Sequence, residues 1–132
     1  GNSSGGSTAL YSSALDLRIQ AALVGGSTGY LRDSIGRRGD ASGQNVIPGI
    51  LNWLEMDDIL ALSAPRPVLL FAGREDHIWP LAGAEAVAES ARAVYRALGA
   101  PDRLHTAAAE GGHSYHPDIA WPAFEALMAA GA

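Results

Sequence analysis

The 132-residue chain contains no cysteine and no lysine. Without cysteine there is no disulfide framework, no thiolate metal site and no cysteine nucleophile. All nine basic residues are arginine, which excludes lysine Schiff-base chemistry and a P-loop lysine. Charge is sparse, at 17% of residues, and the net charge is −5. That balance argues against a nucleic-acid partner, because phosphate binding needs a basic face. No apolar run reaches the ~20 residues of a membrane helix, so no membrane partner is expected. What the chain does have is 48% hydrophobic residues, enough for a buried core at this length and too many for a disordered segment. No internal repeat or second compositional region divides it.

The pattern along the chain predicts alternating elements. Ala9–Leu17 reads as a helix with Ala9, Leu10, Ala14 and Leu17 on its buried side. The apolar run within Arg18–Val24 reads as a strand stopped by Gly25-Gly26. Residues 25–49 hold seven glycines with Arg32, Arg37 and Arg38 and no sustained period, the pattern of a long loop. Asp57 or Asp58 is expected to cap a short helix running through Leu62, which Ala64-Pro65-Arg66-Pro67 then breaks. Val68–Ala72 is the clearest buried strand. A helix follows over Leu81–Leu98 with Val87, Ala91, Val94 and Leu98 inward and Gly99 as its stop. Leu104–Ala109 reads as a strand, and a final helix starts between Pro117 and Pro122 and ends near Ala130. Apolar strands alternating with helices predict an α/β fold, three parallel strands with covering helices.

Ligands of open parallel sheets bind beyond the carboxyl ends of the strands, so the loops leaving the strands are where chemistry is expected. Two of them carry Asp76 and His113. Gly1-Asn2-Ser3-Ser4-Gly5 admits two readings, a Gly/Ser linker or the G-x-S-x-G turn that lifts a serine nucleophile off a strand. Asp76 and His113 favour the second, because serine, carboxylate and histidine then share one rim in the chain order of α/β-hydrolases. A serine hydroxyl needs an adjacent base, an imidazole can take and return a proton near neutral pH, and a carboxylate holds that imidazole in the right tautomer. The backbone N–H of Ser4 is the natural oxyanion donor.

Other assignments compete. Glu75 is an alternative acid, His77 reads as a loop or pocket residue, and His105 and Arg66 as structural. His113 and His116 with Asp76 lack the HExxH or cysteine spacing of a metal site, so no metal is expected. Trp79 and Tyr115 flank the triad candidates and are expected in a substrate pocket if they are not packing residues. Tyr30 and Trp53 fall in or beyond the long loop, which could form part of a lid.

The segments Gly1-Asn2-Ser3-Ser4-Gly5-Gly6, Leu15-Asp16-Leu17-Arg18-Ile19, Ile47-Pro48-Gly49, Ala64-Pro65-Arg66-Pro67-Val68-Leu69-Leu70, Gly73-Arg74-Glu75-Asp76 with Pro80, Val94 to Leu104, and Gly111-Gly112-His113 together carry a resemblance. The chain resembles the C-terminal half of an α/β-hydrolase of the bacterial acetyl xylan esterase and dienelactone hydrolase group. The resemblance covers nearly the whole chain, and its most specific parts are the APRP and GGH segments. It implies Ser3 as nucleophile, Asp76 as acid and His113 as base. It also implies that residues 1–132 are the C-terminal portion of one domain starting at the nucleophile elbow. The feeding strand, the second oxyanion donor and the N-terminal half of the sheet would then precede it as its partner. The implied parent is a serine esterase acting on a small-molecule or carbohydrate ester without a cofactor, and the chain alone is expected to be poorly stable and nearly inactive. A prolyl oligopeptidase-like peptidase and a non-catalytic domain of the same shape are the alternatives. A nucleotide-binding domain is disfavoured, since G-x-G-x-x-G is missing.

Overall fold

A computed structural model of the chain describes residues 1–38 and 46–130. Its elements are α1 (Ser4–Leu15), β1 (Ala22–Gly25), α2 (Leu31–Arg38), α3 (Met56–Ala61), β2 (Val68–Gly73), α4 (Leu81–Ala97), β3 (Leu104–Ala109) and α5 (Pro117–Ala129), with 3₁₀ turns at Ile50–Asn52 and Pro101–Arg103. The strands form one parallel sheet in the order β1-β2-β3. Ala22 pairs with Val68, and Val68 in turn with Leu104. Gly1 and Asn2 run parallel to the end of β1. The Gly25 N–H donates to Gly1 O at 2.9 Å and the Ser3 N–H to Gly25 O at 2.8 Å.

β2 is buried along all six residues, as a central parallel strand covered on both faces must be. Its side chains alternate between two cores. Val68 and Leu70 join Leu10, Val24, Met56, Leu60, Val87 and Tyr95 under α1, α3 and α4. Leu69 and Phe71 join Leu23, Ala120 and Leu127 under α5.

Several elements depart from expectation for physical reasons. α1 starts at Ser4 and ends at Leu15, so Leu17 lies outside it and is exposed. Its first turn, Ser4-Gly5-Gly6-Ser7, has poor intrinsic helix propensity; packing of Gly6 and Ser7 in the interior holds it instead. On α4 the buried stripe is Ala84, Val87, Ala88, Ala91 and Tyr95, while Val94 and Leu98 are exposed. Tyr95 takes their place because its hydroxyl can donate to Arg66 O at 3.0 Å while the ring stays buried. Within the expected loop of residues 25–49 stands α2, and residues 39–45 of that reading lie outside the described residues.

Glu55, not Asp57 or Asp58, caps α3, and Asp58 completes a capping box by accepting from the Glu55 N–H at 2.8 Å. The Glu55 carboxylate also accepts the N–H of Leu31 at 2.6 Å and of Arg32 at 3.2 Å. One carboxylate therefore serves the positive ends of two helices. α5 takes Pro117 at its first turn and keeps Pro122 inside, on its exposed side. Arg66 is structural, as read: its guanidinium donates to the carbonyls of Asp16, Ile19, Leu62 and Ser63.

Candidate active site

Ser3 sits where the Gly1-Asn2 segment turns sharply into α1. Its φ of 53° and ψ of −123° make it the one non-glycine residue with positive φ among the described residues. Such a conformation costs about 1–3 kcal/mol and persists only where the surroundings impose it. Here the Ser3 N–H is tied to Gly25 O and the Ser3 carbonyl accepts from the Ser7 N–H at 3.0 Å. Gly6 allows the helix to come this close: a Cβ there would collide with Gly25 O and Ser27 Oγ.

The loop after β2 supplies Asp76, whose side chain is 1% exposed. Its Oδ1 accepts the backbone N–H groups of Ile78 (2.9 Å) and Trp79 (2.8 Å). Its Oδ2 lies 2.8 Å from His113 Nδ1. The loop after β3 supplies His113, whose Nε2 lies 2.9 Å from Ser3 Oγ. Residues 3, 76 and 113, far apart in sequence, thus form one continuous hydrogen-bonded chain at the carboxyl edge of the sheet. Gly73 lets the two loops cross. A Cβ on it would collide with the carbonyl oxygens of Gly111 and Gly112, and the Glu75 N–H donates to Gly111 O at 2.9 Å.

Ser4 is the first residue of α1, where helix N–H groups have no acceptor within the helix. It follows Ser3 directly in the chain. The competing residues lie elsewhere. Glu75 and His77 are exposed, and so is His105, on β3. His116 Nε2 faces Ser114 Oγ at 3.1 Å and Gly112 O at 3.3 Å. No group of three or more metal-ligating side chains forms among the described residues.

Trp79 and Tyr115 part company. Trp79 is 7% exposed and lines a cavity of about 210 Å³ with Gly29, Tyr30, Asp33, Ile78 and Gly83. That cavity adjoins the Asp76 turn through the Trp79 backbone. Tyr115 is exposed, stacks obliquely on Phe71 with ring centroids 6.0 Å apart, and lines a different hollow with Asn2, Leu23 and Trp121. Trp53 is 85% exposed and borders neither. Gly26 is a site residue that sequence reasoning missed. Its φ is 52°, and a Cβ on it would stand 3.2 Å from the His113 ring. The Gly25-Gly26 pair was legible only as a strand stop.

Three parallel strands with covering helices, and a serine, an aspartate and a histidine joined at their carboxyl edge, give a partial α/β-hydrolase fold. Solved structures agree. A carbohydrate esterase family 15 glucuronoyl esterase from Caldicellulosiruptor kristjansonii matches with a TM-score of 0.76 and 22% identity, over 96% of this chain and 40% of that one. A glucuronoyl esterase from Solibacter usitatus matches with a TM-score of 0.74 and 19% identity, over 98% of this chain and 41% of that one. A protein of Thermus thermophilus matches with a TM-score of 0.68 and 25% identity, over 98% of this chain and 52% of that one. The chain therefore spans about half or less of the length of these relatives in fold. No protein-family model matches it, and no curated protein does.

Proposed function

We propose that the protein is a serine esterase, and that these residues form the C-terminal portion of its α/β-hydrolase domain. The observation that carries this reading is the unbroken chain from Ser3 Oγ through His113 to the buried Asp76, with Ser3 in a strained turn. Asp76 is acceptor-only when ionised, so it favours the tautomer with its proton on His113 Nδ1. That leaves the Nε2 lone pair facing Ser3 Oγ. Attack on an ester carbonyl forms the Oγ–C bond while the hydroxyl proton passes to Nε2. The imidazolium then gives that proton to the departing alcohol, and water repeats the sequence to release the acid from the acyl-enzyme. Ser4 N–H serves the oxyanion. No cofactor enters.

The substrate class is a small-molecule or carbohydrate ester. Its support is the glucuronoyl esterase function named for two of the structures with the same fold. The cavity beside Trp79 is the pocket we assign to it; Tyr115 lines a separate hollow with Asn2, Leu23 and Trp121. The test is hydrolysis of a simple acetyl ester beside a peptide amide. Ester turnover is expected to be the faster, and Ser3→Ala is expected to lower it by a factor on the order of 10⁶. Unchanged ester turnover in Ser3→Ala would rule the triad out, and preference for the amide would move the protein to the peptidases.

A further inference from the structure

The triad leaves one polar atom at its edge without a role. Asn2 immediately precedes Ser3, and its side-chain Oδ1 is buried with no hydrogen-bond donor among the described residues. A buried amide oxygen left unpaired weakens folding, so its position calls for a physical reason.

Two glycines locate it. A Cβ built on Gly25 would stand 2.8 Å from Asn2 Oδ1. A Cβ built on Gly26 would stand 3.2 Å from His113 Cε1, 3.3 Å from His113 Nδ1 and 3.4 Å from Asn2 Oδ1. The ring edge of the base and the unpaired oxygen therefore border the same small space above Gly26. The backbone there is held: Gly26 has φ 52°, and its N–H donates to Phe71 O at 2.9 Å. The Nδ1–Cε1 edge carries much of the positive charge when an imidazole is protonated. The charge that meets this ring is Asp76, from the loop after β2. Glu75 on the same loop is exposed. His116, on the ring's own segment, is engaged with Ser114 and Gly112.

We propose that Asn2 is a positioning residue for His113, its side-chain oxygen stabilising the imidazolium edge across the gap that Gly26 keeps open. The proposal rests on the triad reading above. Asn2 acts through His113 and touches no reacting atom, so its signature is in the titration of the histidine and not in substrate affinity.

The experiment is an NMR titration of the His113 Cε1–H, read alongside the pH dependence of Ser3 labelling by a fluorophosphonate probe. Asn2→Leu removes the dipole at similar size and is expected to lower the His113 midpoint by about half a pH unit. Asn2→Asp places a carboxylate there and is expected to raise it by about one unit. The acid limb of labelling should follow in both directions. Gly26→Ala fills the gap and is expected to slow labelling by about tenfold or more. Gly99→Ala carries the same left-handed strain, with φ 72° and no heavy atom within 4 Å of an added Cβ, and should leave labelling within about twofold. Asn2→Ser, smaller and less apolar, repeats the downward shift should Asn2→Leu fail to fold. Midpoints unmoved in both Asn2→Leu (or its Asn2→Ser stand-in) and Asn2→Asp, or a rise in Asn2→Leu, overturn the proposal, as does a Gly26→Ala effect no larger than that of Gly99→Ala. Parent protein that labels at Ser3 while those midpoints stay fixed overturns Asn2 alone; parent protein that never labels at Ser3 overturns the triad reading beneath it.

Discussion

Asp76 has two separable jobs, and two substitutions tell them apart. Its Oδ1 holds the turn by accepting the Ile78 and Trp79 N–H groups, and its Oδ2 orients His113. Asp76→Ala removes both. Each lost bond to a carboxylate is worth about 1.5–3 kcal/mol, and the Trp79 N–H is left buried and unpaired. The expected loss is about 3 kcal/mol or more, read as a lower Tm. Asp76→Asn keeps an oxygen for the two N–H groups and is expected to cost only about 1 kcal/mol, the charge assistance of those bonds. It places an amide N–H₂ opposite His113 Nδ1, however. The imidazole must then accept there and carry its proton on Nε2, where it cannot take one from Ser3. The expected loss of ester hydrolysis is about 10⁴-fold. Thermal unfolding and initial rates on the same preparations are the assay. An Asp76→Asn variant within tenfold of the parent rate refutes the orienting role. Equal stability of the two variants refutes the turn-holding role.

Three further predictions follow from the same contacts. Gly73→Ala should push the crossing loop of Gly111 and Gly112 outward, lowering Tm and displacing His113, so that probe labelling of Ser3 slows more than the stability loss explains. Arg66→Lys keeps the charge but cannot reach the four carbonyls that the guanidinium fork serves; denaturant unfolding should show a loss of about 1–2 kcal/mol with the triad rates intact. Burial raises the Tyr95 phenol above its ordinary range, and burial and then the Glu55 charge raise that of Tyr11. A phenol whose folded pKa is raised contributes its stability in full below the unfolded value of ~10 and loses it as pH climbs above that value. Tyr95→Phe should therefore cost about 1 kcal/mol at neutral pH through the lost bond to Arg66 O, yet flatten the fall in stability above pH ~10. A parallel alkaline decline in both proteins would contradict the assignment.

The sheet was legible because parallel strands buried on both faces leave unbroken apolar runs, and Val68–Ala72 is such a run. Asp76 and His113 were legible because each falls in a loop leaving a strand, and Ser3 because it centres Gly1-Asn2-Ser3-Ser4-Gly5, a pattern those two residues favoured. Helix faces were less so. Apolar period alone chose Val94 and Leu98 on α4, whereas the chain buries Tyr95, whose hydroxyl finds a carbonyl 29 residues away in a segment no local pattern reaches. α2 stayed hidden because its stabilising carboxylate, Glu55, comes from another part of the chain. Trp79 and Tyr115 looked alike as aromatics flanking the site. Only the direction of each loop separates a buried cavity wall from a surface ring. Gly26 and Gly73 matter for the Cβ they lack, and what a missing atom makes room for is a tertiary fact.

The central claim is that Ser3 carries the acyl group during ester hydrolysis. Rapid quenching of the protein turning over an activated acetyl ester, followed by peptide mass mapping, tests it most directly. The acetyl group is expected on the peptide that contains Ser3, and it should be undetectable in His113→Ala over the same interval. Turnover with the acetyl group on another residue, or turnover that survives Ser3→Ala, would contradict the account.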